Sequence, residues 1–285
     1  MTSTLSSAIN RKQRPSAGKV VVGIILIGYA TISLTPLLIM FLNSFRKTSD
    51  LLKNPLGMEW PISFDAYAVA WNSANFSSYF MNSIVVTVGS VLLSTAVAVP
   101  AAYAISRVRT KAMSVTEVVF LSGLMLPVHL AVLPTFYLLD SMGLVDTLLG
   151  LIFVYAASSI PFSIFVLTAF FRQLPEELEE AAQLDGAGPF QRFFLVMMPL
   201  VKPAIATVIV FRFVPVWNDF LYPLVLLRSS DNFTLPVGLS MFFGEYSTNW
   251  SALFAGLVIA TVPLIILFLV ATKQIIAGLT AGMSK

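Results

Sequence analysis

The sequence predicts an all-α membrane protein with six transmembrane helices, and three observations carry that prediction. Charged residues make up only 11% of the 285-residue chain, whose mean hydropathy is +0.86. A soluble domain carries about 25%, so the composition suits lipid as solvent. Six apolar runs of membrane-spanning length fall near 20–42, 84–106, 118–139, 148–171, 204–227 and 252–272. With the N-terminus inside, Lys and Arg number 12 on the inner side against 4 on the outer, and Arg212 is left within a span. The positive-inside rule then places both termini in the cytoplasm.

The first 19 residues form a cytoplasmic tail with Arg11, Lys12, Arg14 and Lys19. The run behind it exceeds a signal peptide's apolar core, and no small-residue cleavage site follows, so it is read as an uncleaved first span. The transmembrane domain occupies 20–285. In the outer loop 43–83, the segment FDAYAVAWNSANFSSYFMNS suits a short amphipathic helix on the membrane surface. Asn75, Asn232 and Asn249 open N-x-S/T triplets, which are frequent by chance and are assigned no glycan. Each span holds proline: Pro36, Pro100, Pro127 with Pro134, Pro161, Pro215 with Pro223, and Pro263. Every such ring removes a helix hydrogen bond, so the spans should kink. The chain has no cysteine, which excludes disulfides and thiol chemistry.

The inner loop at about 172–203 is the most informative stretch. It reads PEELEEAAQLDGAGPFQRFFLVMMPLVKP from Pro175, with four glutamates and an aspartate in its first eleven residues. Pro175 suits a first helical turn, and Glu176, Glu177, Glu179 and Glu180 sit where the helix dipole favours negative charge. Ala181 and Ala182 continue the helix, and Gly186 can end it in a left-handed conformation. Pro189 opens a second helix, on which Phe190, Phe193, Phe194 and Met197 recur at i, i+3, i+4 and i+7 as one apolar ridge. A few residues would suffice to join two spans. An ordered, acidic loop of this length suits the docking of a soluble partner.

EAAQLDGAGPFQRFFLVMMPLVKP resembles the EAA signature of permease subunits of ABC-type importers. Glu180, Ala181, Ala182, Asp185, Gly186, Ala187, Phe190, Pro199, Leu200 and Pro203 fall in register with it. PTFYLLDSMGLVDTLLGLI, VWNDFLYPLVLL and the terminal GLTAGMSK are similar to the carbohydrate branch, the last to a subunit type of maltose-type systems. Met283 and Ser284 depart from that tail pattern.

The resemblance implies a type I importer permease fold of the bacterial inner membrane, moving a sugar or sugar derivative by alternating access. Its coupling residues would be Glu180, Ala181, Ala182, Asp185, Gly186, Ala187 and Phe190. It also implies two ATPase subunits, a second related permease subunit and an extracytoplasmic sugar-binding protein as partners, besides membrane lipid; no nucleic acid is expected. ATP and Mg would belong to the ATPase, with no cofactor and no metal on this chain. The residues agree independently, because no G-x-x-x-x-G-K-[ST] loop is present and AGKVVVG at 17–23 is not one.

Three ionisable groups fall within the expected spans. His129 is read as a hydrogen-bonded packing residue without a metal or proton role. Arg212 and Asp219 share one helix face about 10 Å apart along the axis, and each must face the bundle interior, water or a partner. Trp217 and Asn218 supply an aromatic face and an amide beside Asp219. Arg212, Trp217, Asn218 and Asp219 are therefore candidates for the substrate pathway; the competing reading is that Trp217 to Asp219 stabilise a kink at Pro215. A stand-alone channel or secondary transporter is the alternative function, but internal repeats and further intramembrane charges are missing. One histidine and one intramembrane aspartate make a poor set for a membrane enzyme.

Overall fold

The computed structural model describes residues 17–54, 57, 62–72, 75–245 and 249–281. The helices are α1 (Ala17–Asn43), α2 (Thr48–Lys53), α3 (Asp65–Asn72), α4 (Phe76–Arg107), α5 (Lys111–Gly123), α6 (Val132–Ser141), α7 (Leu148–Gln173), α8 (Glu177–Leu184), α9 (Pro189–Gln191), α10 (Met198–Leu200), α11 (Lys202–Asn218), α12 (Leu221–Leu226), α13 (Leu235–Glu245) and α14 (Trp250–Ala281). Four of them, α1, α4, α7 and α14, are long and apolar enough to cross a bilayer unaided. The first two start ahead of the expected spans. The tail before Ala17 and the last four residues lie outside the described residues.

The third and fifth spans are broken rather than straight. α5 and the segment Val128–Ser141 meet at 89°, and the segment Pro189–Leu200 meets α11 at 70°. Pro127 marks the first break and is followed by a 3-10 turn, Val128–Ala131. Proline disfavours the helical region for the residue before it and supplies no N–H. α11 has 17 residues, about 26 Å at 1.5 Å per residue. It stops at Asp219, and α12 continues the apolar run after the break.

α4 and α7 make the most extensive helix pair. Ser83, Thr87, Ser90, Ser94, Ala98 and Ala102 recur along one buried face of α4, and Ala156, Ser159 and Ser163 are buried on α7. Small residues let the backbones approach closely. The Ser90, Ser94 and Ser163 hydroxyls donate to carbonyls of their own helices, so their burial leaves no donor unmet. At one end of this pair, Ile105, Phe171, Phe193, Met197 and Val201 form a core that includes the 174–201 loop. At the opposite end, Ala70, Phe76, Trp217, Leu235 and Ala252 form a second core.

α3 belongs to that second core. Ala66 and Ala70 are buried in it, and the helix packs on α14 and α4 rather than lying free on a surface. The segment expected as one amphipathic helix is thus divided between α3 and the start of α4. Gly238 lets α13 close on α4, since a Cβ there would lie 2.1 Å from the Tyr79 ring. α1 sits at the periphery with Ile24, Ile27, Tyr29 and Ile32 exposed, as suits a lipid-facing helix.

Candidate functional site

Two places concentrate polar chemistry: the 174–201 loop, and a cavity beside the break after α11. In the loop, α8 begins as the glutamates dictate and ends at Asp185. Gly186 takes φ +85°, its N–H donates to the Gln183 carbonyl at 3.0 Å, and the Ala187 N–H donates to the Ala182 carbonyl at 2.9 Å. This pair of bonds is the Schellman closure, which needs a left-handed residue. Nothing lies within 4 Å of a Cβ built on Gly186, so backbone conformation rather than space requires glycine within this chain.

The acidic helix is fastened to the bundle. Arg107 at the end of α4 donates from Nε to Glu179 at 2.6 Å and from a terminal nitrogen to the Leu174 carbonyl at 2.9 Å. The Tyr103 hydroxyl donates to the other Glu179 oxygen at 2.9 Å. Arg109 pairs with Glu176, and Arg172 makes a two-pronged pair with Glu117 at 2.9 and 2.7 Å. Arg192 joins the two arms of the loop by donating to Gln183 at 2.8 Å. The sequence offered only the inner-side placement of Arg107 and Arg109 as a signal for these bonds. Their partners could not be chosen among four closely spaced glutamates.

The phenylalanine ridge is not a single exposed stripe. Residues Arg192–Met197 form a π-helical turn just before Pro199, whose ring crowds the carbonyl four residues earlier. The wide turn rotates side chains off the 3.6-residue period. Phe193 and Met197 point into the core, with Phe193 4.9 Å from the Tyr103 ring, whereas Phe190 is 80% exposed and Phe194 is also outside. The outer edge of the loop therefore presents Leu184, Phe190, Glu177, Glu180, Ala181, Asp185 and Gly186, with Ala182 and Ala187 half-buried behind them.

The cavity has a volume of about 370 Å³ and is lined by His129, Tyr155, Ser158, Arg212, Asn218 and Asp219, among others. Asp219 accepts from the Tyr155 hydroxyl at 2.6 Å and from the N–H groups of Leu221 and Tyr222 at 3.3 and 3.4 Å. Its carboxylate thus receives the orphan donors at the start of α12, the usual service of a carboxylate at a helix N-terminus. The guanidinium of Arg212 lies 4.2 Å from the Phe162 ring centroid, and its Nε is buried without a hydrogen-bond partner. Asn218 donates to the Val214 carbonyl at 2.9 Å on an exposed face.

Trp217 lies apart from the other three candidates. It is buried in the second core, stacks on Phe213 and donates from Nε1 to the Ala260 carbonyl of α14 at 3.1 Å. A helix turns about 100° per residue, so neighbours in sequence face different ways. His129 corrects another expectation. The 3-10 turn after Pro127 leaves it exposed at the cavity, with no hydrogen bond among the described residues, rather than packed in a helix interface.

Residues 94–280 match the family model of the binding-protein-dependent transport system inner membrane component. The chain is 35% identical to the diacetylchitobiose uptake system permease protein NgcG of Streptomyces coelicolor, over 90% of this chain and 86% of that one. It is 33% identical to the arabinooligosaccharides transport system permease protein AraQ of Bacillus subtilis, over 88% and 90%. Its fold matches a chain in the crystal structure of a bacterial ABC transporter involved in the import of the acidic polysaccharide alginate, with TM-score 0.80 and 26% identity over 94% of this chain and 99% of that one. With four to six apolar spans, a fastened EAA loop and relatives among sugar-importer permeases, the chain belongs to the binding-protein-dependent transport system inner membrane components, the permease family of ABC importers.

Proposed function

We propose that this chain is the transmembrane subunit of an ATP-driven importer that moves a saccharide inward by alternating access. The carrying observation is the way the 174–201 loop is tied to the spans. Glu179 holds α8 to α4 through Arg107 and Tyr103, while the π-helical arm runs through Val201 directly into α11. A push on α8 would therefore reach both α4 and α11, and α11 carries Arg212 and ends at Asp219. The exposed edge from Glu180 to Phe190 is the surface for a separate ATPase, which supplies the nucleotide and Mg chemistry.

The importer would contain two ATPase subunits and a second related permease, and an extracytoplasmic binding protein would deliver the sugar. The loop end of the bundle would face the cytoplasm, as its basic residues favour. The relatives are named for diacetylchitobiose and arabinooligosaccharides, and the structural neighbour for alginate, which supports a saccharide and leaves its charge open.

Gly186→Val tests the coupling role. Valine resists the positive φ that closes α8, so the loop edge would be displaced while the apolar spans remain. In a reconstituted complex that still assembles, sugar-stimulated ATPase activity should be lost and basal hydrolysis retained. Wild-type stimulation in that variant would overturn the coupling assignment.

A further inference from the structure

The cavity beside the break after α11 is built around a cation that no carboxylate among the described residues pairs with, and this bears on what it can hold. Arg212 stands about 15 Å along α11 from Lys202 at 1.5 Å per residue, well inside the span. A guanidinium remains charged there and is costly to insert without compensation. Its compensation within the chain is meagre. The Phe162 face lies 4.2 Å from its central carbon, Nε is buried without a partner, and no carboxylate pairs with it among the described residues.

Asp219 lines the same cavity, yet its oxygens already receive the Tyr155 hydroxyl and the N–H groups of Leu221 and Tyr222. Its charge is committed to opening α12, and it forms no ion pair with Arg212. The remaining polar lining includes His129, Ser158, Ser159 and Asn218, which can donate or accept, and Tyr222, whose hydroxyl already donates to the Val128 carbonyl. The volume of about 370 Å³ falls in the range of small-molecule sites, about 300–1,000 Å³. An arene behind the guanidinium leaves its edge free to donate two parallel hydrogen bonds to a planar oxyanion.

We infer that Arg212 is a specificity-determining residue that grips an anionic group, a carboxylate or phosphate, on the saccharide passing this cavity. The inference rests on the importer reading above and adds the charge of the cargo. Asn218, Ser158 and His129 would meet hydroxyls around the anion, and Asp219 would repel a second negative group placed toward α12. The cavity should therefore favour one anionic group per bound sugar unit.

The test uses the full complex of both permeases, the ATPase pair and the binding protein in proteoliposomes. Its probes are matched oligosaccharides that are neutral, uronate-bearing or phosphate-bearing. Those that raise the melting midpoint of the binding protein are then offered for uptake. The wild-type complex should import an anionic member. Arg212→Lys, which keeps the charge and loses the fork, should cut its uptake about tenfold, and Arg212→Met about a hundredfold. These losses match one or two hydrogen bonds to a charged group. Both variants should still assemble with the sister permease and the ATPase pair.

Import of neutral members alone, or full-rate import of the anionic member by Arg212→Met, would overturn the inference and leave the importer reading standing. Failure of Arg212→Met and Arg212→Gln to assemble, with full transport by Arg212→Lys, would also overturn it by marking Arg212 as a structural cation paired with the sister subunit. No ATP-driven saccharide uptake by the wild-type complex would remove the importer reading and this inference together.

Discussion

Glu176, at the N-cap of α8, and Glu179, three residues further on, each pair with an arginine at or just past the end of α4, yet their surroundings differ. The side chains of Arg107 and Glu179 are 12% and 14% exposed, while those of Arg109 and Glu176 are 81% and 56% exposed. Water screens the second pair and scarcely reaches the first, so equal geometry should not mean equal energy. A double-mutant cycle on Arg107 and Glu179 should give a coupling of about 1.5–3 kcal/mol. The same cycle on Arg109 and Glu176 should give less than about 1 kcal/mol. Thermal unfolding of the detergent-solubilised complex provides the measurement, and equal couplings would show that burial does not decide the loop's attachment. At this scale the sequence named the acidic residues and their charge. It could not rank them, because exposure depends on Phe171, Tyr103 and Phe193, which arrive from three separate segments.

Among the helices, breaks matter as much as spans. Proline placement predicts a kink in every span; Pro36, Pro100, Pro161, Pro215 and Pro263 lie inside helices that continue past them. The 89° turn at Pro127 and the stop at Asp219 were not legible, since a missing N–H permits a bend and neighbouring contacts set its angle. The Tyr222 hydroxyl donates to the Val128 carbonyl at 2.8 Å, tying the two breaks to each other.

At the end opposite the EAA loop, Asp146 performs a similar joining role. It sits at φ +60° and accepts from the backbone N–H groups of Arg228 and Ser229, the Ser229 hydroxyl and Asn232, so that the loop before α7 is pinned to the segment after α12. Desolvation pushes its carboxyl upward, but these donors outweigh it and hold the group well below the ordinary carboxylate range. A depressed folded value means that the charged form stabilises the fold above the ordinary value of 3.8, and that this contribution fades as pH falls from there toward the folded value. Asp146→Asn tolerates the positive φ and removes the charge. Wild type should therefore melt above the variant at pH 6, with the gap shrinking as pH drops below about 4. A gap that widened in acid would contradict the assignment.

For the whole molecule, the 12-to-4 distribution of basic residues makes an orientation prediction that the structure lets one place on exposed sites. Gln191, within the EAA loop, and Ser141, at the other end, are both exposed, and the chain has no native cysteine. A cysteine at Gln191 should react with an impermeant maleimide only from the cytoplasmic side, and one at Ser141 only from outside. Reversed labelling would invert the expected membrane topology and take the proposed docking surface off the cytoplasmic side.

By itself the sequence determined the helical class, the apolar stretches able to cross a bilayer, the expected orientation and the place of the EAA loop. Hydropathy, charge and helix-ending residues act locally, and a bilayer selects on them before helices meet. Tertiary structure alone decided that the ridge from Phe190 to Met197 splits, that Trp217 turns into the core, and that Arg212 and Asp219 share a cavity without pairing. These outcomes depend on helix rotation and on the angle at each break. Both are set by contacts between segments remote in sequence, such as Tyr155 with Asp219 and Trp217 with Ala260.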